Sequence, residues 1–213
     1  MTLEVRPARE DDAPFLAWCI LAAGRAHLDR GWYDIALGLD EPGCLEVLRR
    51  LVVARAPSWW RWDRWLVAEV DGEPAGACAA FGSAEFAQSE PAISEATGSL
   101  GWTATDVSEV WRRGGYVFSC TFTPDDHETW VIENVAVGPE HRGMGVAPAL
   151  LARAFELGRS RGFADAQISF VIGNAAAERA YSKAGFSFVE ERRHPDFQAA
   201  VGAPGLMRYG MRL

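Results

Sequence analysis

Two repeating patterns of apolar residues divide the chain into strands and helices. A period of two residues indicates a strand, and a period of about 3.6 residues indicates a helix with one buried face. In the first part of the chain, the patterns predict a strand at Leu3 to Arg6 and a helix that follows Asp11 and Asp12. A second helix is predicted from Glu41 to Arg55, before Pro57.

A β-hairpin is predicted where two apolar runs, Trp65 to Val70 and Pro74 to Phe81, are joined by Asp71-Gly72. This dipeptide suits the positive φ angles of a tight hairpin turn. The two runs therefore supply the second and third strands of the predicted core.

From Gly82 to Glu128 the periodicity loosens, and we predict an insertion between the third and fourth core strands. Short amphipathic stretches within it favour helices near Pro91 to Ala96 and Thr105 to Arg112. An apolar, β-branched and aromatic stretch favours a strand near Tyr116 to Phe122.

The second half of the chain alternates strand and helix patterns. The predicted elements are a central strand at Thr129 to Val137, a helix at Val146 to Arg161, a strand at Ala166 to Ile172, a helix at Ala175 to Lys183, a strand at Phe186 to Glu191 and a final strand at Leu206 to Leu213. Such alternation is typical of a mixed α/β layer fold. We expect one domain over residues 1–213.

Composition excludes several classes of protein. The 213 residues are 49% hydrophobic, and their net charge of -8 with no Lys- or Arg-rich run argues against a nucleic-acid partner. The cysteines are too widely spaced, and too far from histidines, to predict a metal site: Cys19, Cys44, Cys78 and Cys120. No apolar run has the length of a membrane span, and no leader pattern is present, so we expect a cytoplasmic protein with no membrane partner.

The segment VAVGPEHRGMGVA, from Val135 to Ala147, runs from a strand through a turn into a helix. The first N–H groups of a helix lack internal partners and lie at the positive end of its dipole, so a pyrophosphate there can accept several hydrogen bonds. Gly143 and Gly145 allow unusual φ angles and a close backbone approach, and Arg142 adds a positive charge. Such turns also occur for structural reasons alone, so this segment by itself leaves two interpretations open.

At these residues the chain resembles the GCN5-related N-acetyltransferase (GNAT) family, whose signature is Arg or Gln, two residues, Gly, one residue, then Gly or Ala. Arg142, Gly145 and Ala147 fill the three fixed places. The family's later pattern of Asn, Ala, Tyr and Gly-Phe is matched by Asn174, Ala177, Tyr181, Gly185 and Phe186. The resemblance is specific over residues 129–190 and schematic elsewhere.

The resemblance implies the GNAT fold, an α/β architecture with a central, mixed, mostly antiparallel twisted sheet of six to seven strands flanked by helices. It implies that a parallel pair of strands splays apart and that acetyl-CoA, the co-substrate, lies in the cleft between them. One strand would pair with the pantetheine arm, and the glycine turn would hold the pyrophosphate. The implied cofactor-binding residues are Val135, Ala136, Val137, Arg142, Gly143, Met144, Gly145, Val146, Ala147, Asn174, Ala177 and Tyr181.

Acetyl transfer by direct attack of an amine needs a base and an acid. Strand alternation predicts that Glu133 shares a face with Val135 and Val137, where its carboxylate could take the amine's proton directly or through water. The resemblance implies that Tyr181 stands beside the thioester sulfur, where it could protonate the leaving thiolate. A backbone N–H near Val135 could polarise the thioester carbonyl.

Each assignment has a structural alternative. Glu133 could be held in an ion pair with an arginine, and Tyr181 could be a core residue with its hydroxyl at the rim. His127 is an alternative base, although the polar cluster that surrounds it is typical of a solvated turn. Cys120 has no His and Asp arrangement to make it a nucleophile.

The resemblance implies that the acceptor is a primary amine of a small molecule or peptide, held between residues 24–57 and the insertion. Four clustered tryptophans could form an aromatic acceptor wall, although large aromatic residues more commonly fill a core: Trp59, Trp60, Trp62 and Trp65. Acidic residues in these segments could attract a cationic amine: Asp29, Asp34, Asp40, Glu41, Glu85, Glu90, Glu95, Asp106, Glu109, Asp125, Asp126 and Glu128.

Two other functions compete with catalysis. A non-catalytic acyl-CoA-binding module or sensor would keep the cradle, meaning the phosphate-binding turn within Val135 to Ala147, but would not catalyse acetyl transfer. A nucleotide-binding protein would need the GxxxxGK[ST] pattern, which the turn lacks. The insertion and the C-terminal tail are candidates for a homodimer interface.

Overall fold

The strands form one sheet whose order differs from their order in the chain. The computed structural model describes residues 2–122 and 128–213, apart from the side chains of residues 87 and 88. The strands of these ranges are β1 (Leu3–Pro7), β2 (Trp65–Val70), β3 (Glu73–Gly82), β4 (Trp130–Val137), β5 (Asp165–Val171), β6 (Ser187–Arg193) and β7 (Gly205–Arg212). The sheet order is β1-β2-β3-β4-β5-β7-β6, and β4 and β5 are parallel while the other neighbours are antiparallel. The expected mixed, mostly antiparallel sheet is confirmed.

Helices cover both faces of the sheet. They are α1 (Ala13–Arg25), α2 (Trp32–Leu37), α3 (Glu41–Val52), α4 (Glu90–Ser99), α5 (Ala104–Gly114), α6 (Val146–Ser160), α7 (Ala175–Lys183) and α8 (Pro195–Val201). Buried residues of α1 and α3 form one core with one face of the sheet. Buried residues of α6 and α7 form a second core with the opposite face. Within the described ranges, no helix has both the length and the apolar character needed to cross a membrane.

Local sequence signals explain where several elements begin and end. The side chain of Asp40 accepts a hydrogen bond of 3.0 Å from the N–H of Gly43 and so caps α3. The hairpin between β2 and β3 turns at Asp71 and Gly72, whose φ angles are +52° and +88°. The predicted hairpin is therefore confirmed, as is the helix at Ala175–Lys183.

Three predictions differ from the structure. The short helices α2 and α8 were not predicted, because six or seven residues give too short a periodic signal. The strand predicted near Tyr116 to Phe122 is wrong, because Gly115–Ser119 form a 3-10 helix. Its aromatic rings pack against helices instead: Tyr116 contacts Phe197 edge-to-face at 5.7 Å. Strand propensity is overridden here by packing, since Tyr116 and Val117 lie against a small core that contains Phe197.

The strand β4 carries a β-bulge. Ala79 of β3 pairs with Glu133, but Ala77 pairs with Ala136, so one residue of β3 faces two residues of β4. Asn134, one of the two, has a φ angle of +53°. Asn is among the residues that adopt this left-handed conformation most readily, which favours the bulge at this position.

The bulge changes which side chains share a face of β4. Glu133 lies on the same face of β4 as Val131, and this face packs against the core of α1 and α3. Val135 and Val137 pack into the opposite core, with α6. The prediction that Glu133 shares a face with these two valines is therefore wrong. Simple alternation fails because the strand contains one extra residue.

Candidate active site

A cleft opens where β4 and β5 separate. Their parallel pairing covers three residue pairs, from Trp130 with Ala166 to Ile132 with Ile168. Beyond them, residues 133–137 of β4 and 169–171 of β5 line a cavity of about 1240 Å³. The splayed parallel pair implied by the resemblance is thereby confirmed, and the backbone of β4 beyond Ile132 is left unpaired toward β5.

The glycine turn lies at one end of this cleft. Gly143 and Gly145 have φ angles of +80° and +83°, and Gly145 is the N-cap of α6. A Cβ at Gly143 would meet no heavy atom within 4 Å, so the glycines are needed for backbone conformation rather than for space. In the described part of the chain, the N–H groups of Val146 and Ala147 have no protein acceptor. This is the arrangement that binds a phosphate at a helix N-terminus.

The side chains predicted to bind the cofactor divide into two groups. One group lines the cleft: Val135, Ala136, Val137, Arg142, Ala147, Asn174, Ala177 and Tyr181. The other four residues, Gly143, Met144, Gly145 and Val146, do not line it. Val146 is buried against the sheet, so only backbone atoms of this residue are available to a ligand.

Asn174 is fixed by its place at the start of α7. Its side-chain carbonyl accepts a hydrogen bond of 3.2 Å from the N–H of Ala177 and caps the helix. The cap leaves the side-chain NH₂ group of Asn174, which faces the cleft region, available as a donor. The capping role and the predicted cofactor contact are therefore compatible.

Glu133 is a carboxyl group in apolar surroundings at the point where the strands separate. Burial raises its pKa to about 8, and the nearby backbone N–H of Asn134 only partly offsets this effect. No described cation contributes to this pKa, so the alternative of a structural ion pair with an arginine finds no support. A carboxylate with a pKa close to neutral pH is suited to accept a proton.

Tyr181 stands on α7 at the other side of the cleft. Its ring contacts Phe170 edge-to-face at 5.4 Å, so the aromatic part of the side chain belongs to the core. Burial raises the pKa of its hydroxyl, and the charge of Glu133 adds to the increase. The phenol is therefore protonated at neutral pH and can donate a proton or a hydrogen bond.

A second tyrosine, Tyr33 of α2, was missed in the sequence. Its hydroxyl accepts a hydrogen bond of 2.9 Å from the indole N–H of Trp60, and both residues line the cleft. Burial raises the pKa of Tyr33, and the charge of Glu133 raises it further. The available signal was Gly31 and Asp34, whose backbone N–H to carboxylate bond of 2.8 Å starts the helix.

The four clustered tryptophans have different surroundings. Trp59 and Trp60 line the cleft. Trp65 is buried in the core, where its indole N–H donates a bond of 3.0 Å to the carbonyl of Trp60. Trp62 packs against the same core and does not line the cleft. The core interpretation is confirmed for Trp62 and Trp65, and the acceptor-wall interpretation stays a prediction for Trp59 and Trp60.

The remaining candidates contribute little to the site. His127, with Asp125 and Asp126, lies outside the described residues. Cys120 is buried, and burial raises the pKa of its thiol, which disfavours a nucleophilic thiolate. Across residues 2–122 and 128–213, no group of three or more His, Cys, Asp or Glu side chains is arranged to hold a metal ion.

Comparisons with known proteins agree with this geometry. Residues 40–186 match the acetyltransferase (GNAT) family model. No curated protein sequence matches the chain.

Solved structures share the fold at low sequence identity. An N-acetyltransferase from Staphylococcus aureus Mu50 is 19% identical, with a TM-score of 0.68 over 99% of this chain and 100% of the other. A polyamine N-acetyltransferase of Drosophila melanogaster that forms N-acetylagmatine is 17% identical, with a TM-score of 0.55 over 100% of both chains. N-acetylglutamate synthase from Neisseria gonorrhoeae, complexed with coenzyme A and N-acetyl-glutamate, is 16% identical, with a TM-score of 0.52 over 100% of this chain and 35% of the other. With a family model that spans most of its length and a sheet that opens between β4 and β5, the chain belongs to the GNAT acetyltransferase family.

Proposed function

We propose that this protein transfers an acetyl group from acetyl-CoA to a primary amine by direct attack in a ternary complex. The observation that supports this proposal is the cleft, whose lining includes Arg142 and Ala147 of the glycine turn, the unpaired part of β4 and two groups suited to proton transfer. Each part fits one portion of the reacting molecules.

The cofactor would lie along β4. Its pantetheine amides can pair with the backbone of Val135 and Val137, which β5 leaves free. Its pyrophosphate can accept hydrogen bonds from the first N–H groups of α6, with Arg142 adding a positive charge. The NH₂ group of Asn174 can reach it from α7.

In the chemical step, the amine nitrogen forms a bond to the thioester carbonyl carbon, and the carbon–sulfur bond breaks. Glu133 accepts the proton that the amine loses, directly or through water. A backbone N–H near Val135 stabilises the negative charge that develops on the carbonyl oxygen. Tyr181 gives its proton to the departing coenzyme A thiolate.

The alternative of a non-catalytic acyl-CoA sensor is less well supported. A sensor needs the turn and the unpaired strand, but it does not need a carboxyl group with a pKa of about 8 beside a protonated phenol. Groups with such shifted pKa values are concentrated at catalytic sites.

The test combines two measurements on the purified protein. Thermal shift with acetyl-CoA reports binding, and release of free thiol in the presence of amines reports turnover. We expect both stabilisation and amine-dependent thiol release. Stabilisation without turnover of any amine would favour the sensor, whereas stabilisation by ATP and not by acetyl-CoA would contradict the assignment of the cradle.

A further inference from the structure

One side of the cleft is built largely from aromatic rings. Helices α1, α2 and α5, the segment between α3 and α4 and the 3-10 helix after α5 contribute an aromatic wall, defined as Trp18, Trp32, Trp59, Phe86, Trp111 and Phe118. We propose that this wall binds the acceptor, and that the acceptor is a monoamine carried on an aromatic or bulky apolar body. This inference rests on the proposed acetyl transfer and names the class of its acceptor.

Contacts between rings hold part of the wall in place. The ring of Trp59 lies 4.3 Å from that of Trp60 and meets the edge of Phe86 at 5.9 Å. Trp111 stacks on Phe118 at 5.7 Å. Rings fixed in this way lose little conformational freedom when a ligand stacks on them.

Two rings of the wall are left exposed to solvent. Trp111 is 38% exposed and Phe118 is 60% exposed, and both line the cleft. Exposed apolar surface inside a concave site is typical of a site that covers it with a ligand. An aromatic or apolar acceptor would remove this surface from water, which a polar polyamine chain would not.

The distribution of acidic residues around the cleft favours an acceptor with one positive group over an acceptor with several. Acidic residues that could have attracted a polycation are engaged elsewhere. Asp34 and Glu41 both pair with Arg25, at 2.7 and 2.6 Å. Glu85 pairs with Arg64.

Two further acidic side chains of this region are engaged in the same way. Glu95 accepts hydrogen bonds from the backbone N–H groups of Arg55 and Ala56, and Glu109 pairs with Arg112 at 2.6 Å. Both carboxylates are therefore held by groups of the protein, and neither residue lines the cleft.

Of the described carboxylates, Glu90 and Glu133 line the cleft. Glu133 is the proposed base and lies on the same face of the sheet as the core that includes Trp18, Trp32, Trp59 and Phe86. Glu90 is exposed at the start of α4, where water screens its charge. Among the described residues, a diamine bound along the aromatic wall would therefore find only the exposed Glu90 as a partner for its second ammonium, and burying that group away from Glu90 is unfavourable.

The experiment compares amines that differ in one feature. Octylamine and 1,8-diaminooctane have the same chain, but the diamine adds a second ammonium group. Tryptamine tests an aromatic body, and agmatine tests a polar cationic one. With acetyl-CoA saturating, we expect kcat/KM for tryptamine and octylamine to exceed that for the two dications by about ten-fold or more.

Substitutions in the aromatic wall test whether these rings cause the preference for aromatic and apolar amines. Trp59→Ala and Trp111→Ala should each raise KM for tryptamine by about ten-fold while leaving the thermal shift by acetyl-CoA unchanged. Phe188→Ala is the matched control, because this ring is 55% exposed on β6 and does not line the cleft. Trp111 is the safer of the two test positions, since truncation of an exposed ring disturbs folding least.

The outcomes separate the two proposals. Turnover of the dications at equal or higher kcat/KM, or equal KM for tryptamine in the wild type and Trp111→Ala, would overturn the acceptor assignment while acetyl transfer stands. Turnover of none of these amines by a protein that acetyl-CoA stabilises would overturn it as well. If acetyl-CoA neither stabilises the protein nor releases thiol with any amine, the proposed function itself is wrong.

Discussion

Glu133 of β4 lies directly opposite Ala79 of β3, on the face of the sheet that packs against α1 and α3. The methyl group of Ala79 provides no charge and no hydrogen bond to the carboxylate. This pairing fits the raised pKa of Glu133, since no described cation compensates for the burial of the side chain among apolar atoms. It also places the proposed base on the side of the sheet from which the acceptor would approach.

The raised pKa predicts the pH dependence of catalysis. The base works in its ionised form, so kcat/KM should rise with pH through a pKa of about 8 in the free enzyme. Glu133→Gln should lower kcat/KM by roughly 10²–10⁴-fold and remove this inflection, leaving only the ionisation of the amine. Glu90→Gln serves as the control, because Glu90 lines the cleft but is exposed. An unchanged inflection in Glu133→Gln would show that another group is the base.

The same shift predicts a cost in stability. The pKa of Glu133 is about 8 in the folded protein against 4.5 for an ordinary glutamate, so the folded state binds more protons between these values. Stability contributed by the neutral form is therefore present below pH 4.5 and lost as the pH rises through 8. Glu133→Gln should match the wild type near pH 4.5 and exceed its Tm by about 3 °C or more at pH 9. Equal Tm values at pH 9 would contradict the buried, unpaired carboxyl group.

Asp12 offers a contrast of opposite sign. Burial acts to raise its pKa, but hydrogen bonds from the Arg6 side chain and the Arg9 backbone outweigh it, and the pKa is lowered. Asp12→Asn should therefore be less stable than the wild type at neutral pH, by about 1–3 kcal/mol. The difference should shrink as the pH falls below the pKa of an ordinary aspartate. Urea titrations at pH 7 and pH 3 measure it, and a constant difference would exclude this ion pair as its source.

The cradle is tested by two glycines at the ends of one helix. Gly145 precedes α6 with a φ of +83°, and Gly162 follows the helix with a φ of +86° and open space around it. Alanine at either position should cost about 1–2 kcal/mol, because a side chain disfavours this conformation. Only Gly145→Ala should also weaken stabilisation by acetyl-CoA, since only this end faces the proposed pyrophosphate. Equal loss of binding in both variants would argue against a specific cradle.

Tyr181 can be tested without disturbing its packing. Tyr181→Phe keeps the ring that contacts Phe170 and removes only the hydroxyl. We expect kcat to fall by about 10²-fold, with the Kd for acetyl-CoA nearly unchanged. The matched control is Tyr209→Phe, because Tyr209 contacts the same Phe170 ring at 5.1 Å and does not line the cleft. A normal kcat in Tyr181→Phe would leave the thiolate to be protonated by water.

The parts of the fold that the sequence predicts well are those with long or distinctive signals. The β2–β3 hairpin, α6 and α7 have strong periodicity, a turn dipeptide or a capping residue, and each lies within a few residues of its predicted bounds. The strand predicted near Tyr116 was wrong because composition alone cannot show that Tyr116 and Val117 pack into a small core with Phe197. Propensity is local, whereas pairing depends on the whole sheet.

The site could be predicted where it depends on motif spacing and not where it depends on backbone register. Arg142, Asn174 and Tyr181 line the cleft as expected from their spacing. The face of β4 on which Glu133 lies could not be predicted, because the bulge at Asn134 adds one residue to the strand and breaks the simple alternation of side chains. The pairing of Glu41 with Arg25 and of Glu85 with Arg64 was equally hidden, since it requires contacts between distant segments.

The short parallel pairing between β4 and β5 has a consequence for the rigidity of the sheet. Only three described residue pairs join one part of the sheet, β1 to β4, to the other part, β5 to β7. A pantetheine arm that pairs with β4 in the gap would extend this contact and link the two parts of the sheet. The cohesion of the molecule would then depend on how much acetyl-CoA is available, so the same ligand that supplies the acetyl group would also stiffen the sheet that uses it.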